Sequence, residues 1–180
     1  MKWQLLHAAL LVILLMLIAG CVHQPKSTND FERELAGHTL HFRANLTEAA
    51  AVPVYPDAGA LRELLLNPDL LAIKIAFIPN ETENEFYAVT GYELSYKLTA
   101  ILRAKYDRAI PISAMVLEGE PETKASTAII WMRGPSLASE TAIRVKNNII
   151  FVDGAVLTEV SKKYTDLDLA ADKLLLVMLG

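Results

Sequence analysis

A chain of 180 residues and 19.8 kDa has the length of one ordinary domain, and 53% hydrophobic with 21% charged residues excludes a disordered chain. Lys+Arg 17 against Asp+Glu 21, a formal charge of −4 and a pI near 5.6 come with no basic run longer than Lys162-Lys163. Phosphate backbones need several clustered cations, so no nucleic-acid partner is expected.

The first 20 residues read as an export signal. Lys2 supplies the positive start, Ala8 to Ile18 an uninterrupted apolar run, and Ala19-Gly20 the small residues before a cleavage point. The end of this segment, Leu17-Ile18-Ala19-Gly20-Cys21, resembles the lipobox of secreted lipoproteins. Cys21 is the only cysteine in the chain and stands where that pathway needs a thiol. The resemblance implies that the Cys21 thiolate carries a diacylglyceryl group and becomes the mature N-terminus, held to a membrane by its acyl chains. At about 0.8 kcal/mol per buried methylene, two or three such chains anchor a protein lastingly. Trp3 to Ala19 is also long enough for an uncleaved membrane helix, with the same topology; the terminal cysteine and short flank favour cleavage. An acylated Cys21 leaves no thiol, which excludes disulfides, thiolate catalysis and cysteine metal sites from the exported part.

Val22 to Asp30 has the Pro, Ser, Thr and Asn content of a tether. The expected organisation is therefore 1–20 signal, 21–30 lipid anchor and tether, and 31–180 a single domain. Phe31 to Leu35 reads as a short helix capped by Asn29 or Asp30, and His38 to Arg43 alternates as a strand does. Asp57 caps a helix through Leu61, Leu64 and Leu65, which must stop near Asn67 because Pro68 follows. Leu70 to Pro79 is a strand covered on both faces, broken only by Lys74. Glu85 to Asp107 is the longest helix, with Tyr87, Gly91, Leu94, Leu98, Ile101 and Leu102 on one side and a Glu93/Lys97 pair on the other. Ile110 to Leu117 and Thr127 to Met132 are strands. Ala142 to Lys146 and Ile149 to Asp153 form a hairpin across Asn147-Asn148. Asp166 to Leu179 closes the chain as a helix with carboxylates in its first turn.

This order predicts an α/β fold, a single layered sandwich with helices packed on a mixed sheet. The stretch IIWMRGPSLASETAIRVKNNIIFVDG, residues 129–154, is similar in pattern to the α/β modules of archaeal surface-layer and other envelope proteins. A strand ends in Gly-Pro and a hairpin in Asp-Gly, and the similarity implies an envelope role.

Catalytic and metal patterns do not assemble. His38 and His41 lie three apart in a strand and His23 lies in the tether, which gives no zinc site. There is no Gly-x-Ser-x-Gly and no phosphate-cradling glycine loop. Glu81, Glu83 and Glu85 with Asn80 and Asn84 lack the spacing of a calcium loop and read as solvated charges before the long helix. No metal, cofactor or catalytic residue is assigned. If the strands at 70–79, 127–132 and 149–152 run parallel, Asn80, Arg133, Ser136 and Asp153 share the rim at their carboxyl ends, where α/β sheets bind ligands. Arg133 would hold a carboxylate or phosphate and Asp153 would orient it. Asn45-Leu-Thr47 and Asn80-Glu-Thr82 are sequons, so Asn45 and Asn80 are open to glycosylation in an exported chain. The expectation is a membrane-anchored lipoprotein whose domain binds an envelope protein or a small ligand without catalysis. The alternatives are a carboxylate hydrolase using Glu118, Glu120 or Asp153, and a structural spacer.

Overall fold

The computed structural model describes residues 30–157 and 163–180. The signal, the lipobox with Cys21, the tether up to Asn29 and His23 lie outside the described residues. The described part opens with strands β1 (Glu32–Leu35) and β2 (His38–His41), paired antiparallel. The helix expected from Phe31 is thus a strand. Ala36 and Gly37 both take positive φ, at 50° and 82°, which is the backbone of a two-residue hairpin turn and forces the chain back on itself.

Helix α1 (Leu46–Ala51) follows, unforeseen, capped by Asn45, whose side chain accepts from Thr47 N at 2.9 Å and Glu48 N at 3.2 Å. Strand β3 (Val54–Tyr55) sits between Pro53 and Pro56. Helix α2 (Ala58–Leu66) has Asp57 as its expected cap, accepting from Ala60 N at 2.9 Å, and ends at Asn67. Then come β4 (Ala72–Phe77), α3 (Asn84–Tyr106), β5 (Ile112–Val116), β6 (Thr127–Arg133), β7 (Ala142–Lys146), β8 (Ile149–Asp153) and α4 (Asp166–Leu179). Asn147 takes φ 54° in the tight β7–β8 turn, the role its position predicts.

Strands β3 to β8 form one mixed sheet in the order β3-β7-β8-β6-β4-β5, with β5, β4, β6 and β8 parallel. The α/β architecture with helices packed on a mixed sheet is as expected. Alternation splits the sheet into two faces. One buries Ile73, Ile75, Ile130, Met132, Ile150 and Val152 in the main core with the helices; the other gathers Ala76, Leu117, Ile129, Trp131, Ile149 and Phe151 in a second cluster. The chain passes from β4 to β5 through α3 on the first face. It then returns from β5 to β6, two strands back, through 117–126. Right-handed crossovers in opposite directions lie on opposite faces, which puts this return on the second face, and Leu117 packs there.

Thr165 and Asp168 form a capping box at the start of α4. Lys97, read from its spacing as lying on the outer side of α3, is buried instead, because α4 and the β2 end of the chain cover that side. No helix among the described residues is long and apolar enough to cross a membrane.

Candidate functional site

Parallel β4, β6 and β8 bring their carboxyl ends to one rim, as the site hypothesis requires. The rim does not gather the four residues into one pocket. Arg133 and Asp153 are register partners on β6 and β8 and join through two bonds, Nε to Oδ1 at 2.6 Å and Nη2 to Oδ2 at 2.8 Å. Asp153 is fully buried and also accepts from Arg144 Nη1, while the other arm of Arg144 reaches Glu140. The Arg133 guanidinium lies 4.5 Å from the Phe151 ring centre and 5.6 Å from that of Trp131. Trp131 Nε1 is buried with no hydrogen-bond partner among the described residues. The fork of Arg133 is thus engaged by a carboxylate of its own chain.

Ser136 belongs to a second network. Its N and Oγ both donate to Glu83, each at 3.0 Å, Tyr87 OH donates to Glu83 Oε2, and Gly134 N donates to Tyr87 OH at 2.8 Å. Burial first, and the Glu83 carboxylate second, hold the Tyr87 phenol well above its usual pKa, so it remains a neutral donor. A Cβ at Gly134 would stand 2.5 Å from Glu83 Oε2 and 2.9 Å from Tyr87 OH, so any side chain there displaces the ends of this network. The solvated reading of Glu83 is corrected: it is 4% exposed and bridges the loops after β4 and β6. The i, i+4 spacing of Glu83 and Tyr87 was the available signal. Asn80 closes its own turn, accepting from Thr82 N at 3.1 Å and Oγ1 at 2.9 Å, and joins neither network.

The carboxylates of the hydrolase alternative do not converge. Glu118 and Glu120 are exposed on the segment leaving β5, three strand spacings, or roughly 14 Å, from the β8 end that carries Asp153. His38 and His41 are exposed, and His41 pairs with Glu32 at 3.1 Å. No cluster of three metal-ligating side chains occurs among the described residues.

No protein-family model, curated protein or solved structure matches the chain. The site must therefore be read from its own chemistry.

A second constellation, missed in the sequence, lies between the β1–β2 hairpin and α3. A cleft of about 630 Å³ is walled by His38, His41, Tyr92 and Tyr96, with Glu93 and Lys97 at its base joined at 2.9 Å. Behind it stand the α4 carboxylates. Asp168 accepts from Arg43 Nε at 2.9 Å and Thr90 Oγ1 at 2.8 Å, and Asp172 accepts from the backbone N–H groups of Arg43 at 3.0 Å and Ala44 at 2.8 Å. These carboxylates pin the chain after β2 to the last helix. Desolvation by burial raises the Asp172 pKa from 3.8 to about 6, against the lowering effect of the Ala44 N–H and the nearby Lys97.

An acid whose pKa is higher folded than unfolded favours the fold in its protonated form. The Asp172 contribution is therefore most favourable below about pH 4, declines through pH 4–6, and is a full penalty above about 6. Asp172→Asn keeps an oxygen for the two N–H groups without the charge. It is expected to raise stability at pH 7.5 by about 2–3 kcal/mol and to flatten the fall between pH 4 and 6 in urea titrations run across pH.

Proposed function

We propose that the chain is a lipid-anchored envelope protein, attached through Cys21, whose domain over 31–180 is a non-catalytic binding module for an envelope polypeptide or a small ligand. The observation that carries this reading is the sequence Leu17-Ile18-Ala19-Gly20-Cys21, with the only thiol of the chain at its end. The tether composition of 22–30 supports it, since a short polar linker lets a domain stand off the bilayer. The buried carboxylates support the non-catalytic half. Glu83, Asp153, Asp168 and Asp172 are buried and spend oxygens on donors of their own chain, the arrangement of carboxylates that fix loops and helices in place. The expected partition follows from the anchor: the native chain sediments with membranes, and Cys21→Ser shifts it away from the acylated, detergent-phase form. A Cys21→Ser chain that partitions and migrates as the native one does would defeat the reading.

A further inference from the structure

Sheet edges expose unpaired backbone, and natural edges are blunted by shortness, proline, bulges or charge. The β3 edge is blunted in this way, with two residues held between Pro53 and Pro56. The β5 edge is not. Its five residues, Ile-Ser-Ala-Met-Val, hold neither charge nor proline and, among the described residues, pair with β4 alone. That ladder starts with Ile73 N donating to Pro111 O at 3.0 Å and ends with Leu117 N donating to Phe77 O at 2.9 Å. The two-residue period between them turns Ser113 and Met115 toward β4, and points the N–H and C=O of Ile112, Ala114 and Val116 outward.

Beside this free edge α3 overhangs an apolar hollow of about 250 Å³, bounded by Ile75, Gly91, Tyr92, Ser95, Ala114 and Met132. Ala114 pairs with Ile75 on the helix-bearing face, and its methyl is too small to fill the space. Tyr92, on its wall, is 72% exposed, and Val116, two residues beyond Ala114 on the same strand face, is 60% exposed. Beyond β5 the chain carries Glu118, Glu120 and Glu122, all exposed.

We propose that β5 and α3 form a docking groove for an extended segment of another envelope polypeptide. The segment adds antiparallel to β5 as a further strand, places an apolar side chain in the hollow over Ala114, and sets a cationic N-terminal end against Glu118 and Glu120. Strand addition supplies main-chain hydrogen bonds, and the hollow supplies selectivity. The inference deepens the binding-module reading and rests on it. Charge decides against a second copy as occupant. Antiparallel pairing of two β5 edges about Ala114 would set the acidic end of one copy against residues 107–111 of the other. There Asp107 is an exposed acid, and the Arg108 guanidinium is turned onto the carbonyls of Leu65, Asn67 and Leu70.

The test uses the full chain in detergent micelles and a peptide, Lys-Lys-Thr-Val-Thr-Leu-Thr-Val, with fluorescein at its C-terminus, followed by fluorescence anisotropy. Moving the two lysines to the C-terminal end is expected to weaken binding by about tenfold, the upper range for two exposed ion pairs. Prolines in place of the two valines, whose N–H groups face β5 when the leucine lies opposite Ala114, are expected to abolish it. Ala114→Pro removes an outward N–H and no β4 bond, and Ala114→Leu fills the hollow; each is expected to lower affinity by about tenfold or more. Undiminished binding of the proline peptide, or of the native peptide to an Ala114→Leu chain with a native unfolding midpoint, would overturn the groove. A dimer of the native chain that Ala114→Pro dissociates would give the edge to a second copy and overturn it equally. If no peptide binds while a photoreactive residue at Leu137 still crosslinks envelope proteins, the groove fails and the binding-module reading stands; no crosslinks from any surface position defeats both.

Discussion

Asp153→Ala is expected to lower the unfolding free energy by about 3 kcal/mol, the lower end of the cost of breaking a buried ion pair. The carboxylate is fully buried and holds both Arg133 and Arg144. Its loss leaves the Arg133 guanidinium over the Phe151 ring without its carboxylate, and the Arg144 guanidinium beside the Tyr55 ring with Glu140 alone. Their side chains are 21% and 34% exposed, so water can reach them and the cost stays below the extreme for a sealed pair. Urea unfolding at neutral pH measures it, and an effect under about 1 kcal/mol would mean that the two arginines do not depend on Asp153.

Gly154→Ala is expected to cost about 2–3 kcal/mol through overpacking. A Cβ at Gly154 would lie 2.5 Å from Leu167 N and 2.7 Å from Leu167 Cα, which are backbone atoms in the first turn of α4. Backbone cannot swing aside as a flexible side chain can, so β8 and α4 must separate. Gly119→Ala, with nothing within 4 Å of the added carbon, is the control, and its unfolding midpoint should stay close to native. Equal behaviour of the two variants would show that the β8–α4 approach is not as close as described.

Most of the fold was legible because its signals are local. The β-branched run at 72–77, the helical spacing of Tyr87, Leu94, Leu98 and Ile101, the Asp57 cap and the Asn147 turn each act within a few residues, and each stands where it was read. Strand β1 reads as a helix in the sequence because Ala36 carries no mark of positive φ, and only Gly37 beside it signals the turn. Strand β3 is two residues long and too short to show a period.

The candidate site was less legible, for a physical reason. Arg133 and Asp153 meet, but in register across two parallel strands 20 residues apart, and they meet each other rather than a shared pocket. Glu83 looked solvated within an acidic loop, yet donors from Tyr87 and Ser136 compensate its burial, one four residues away and one 53. Lys97 and Asp172 are buried by elements that come together only in three dimensions. Nothing in the spacing of charged residues announces which of them the tertiary fold will cover.

The most direct test of the account is the intact mass of the chain isolated from its native membrane. The expected species is a mature chain that begins at Cys21 and carries the added mass of a diacylglyceryl group, with no such species formed by Cys21→Ser. A native chain that retains residues 1–20 and an unmodified Cys21 would contradict it.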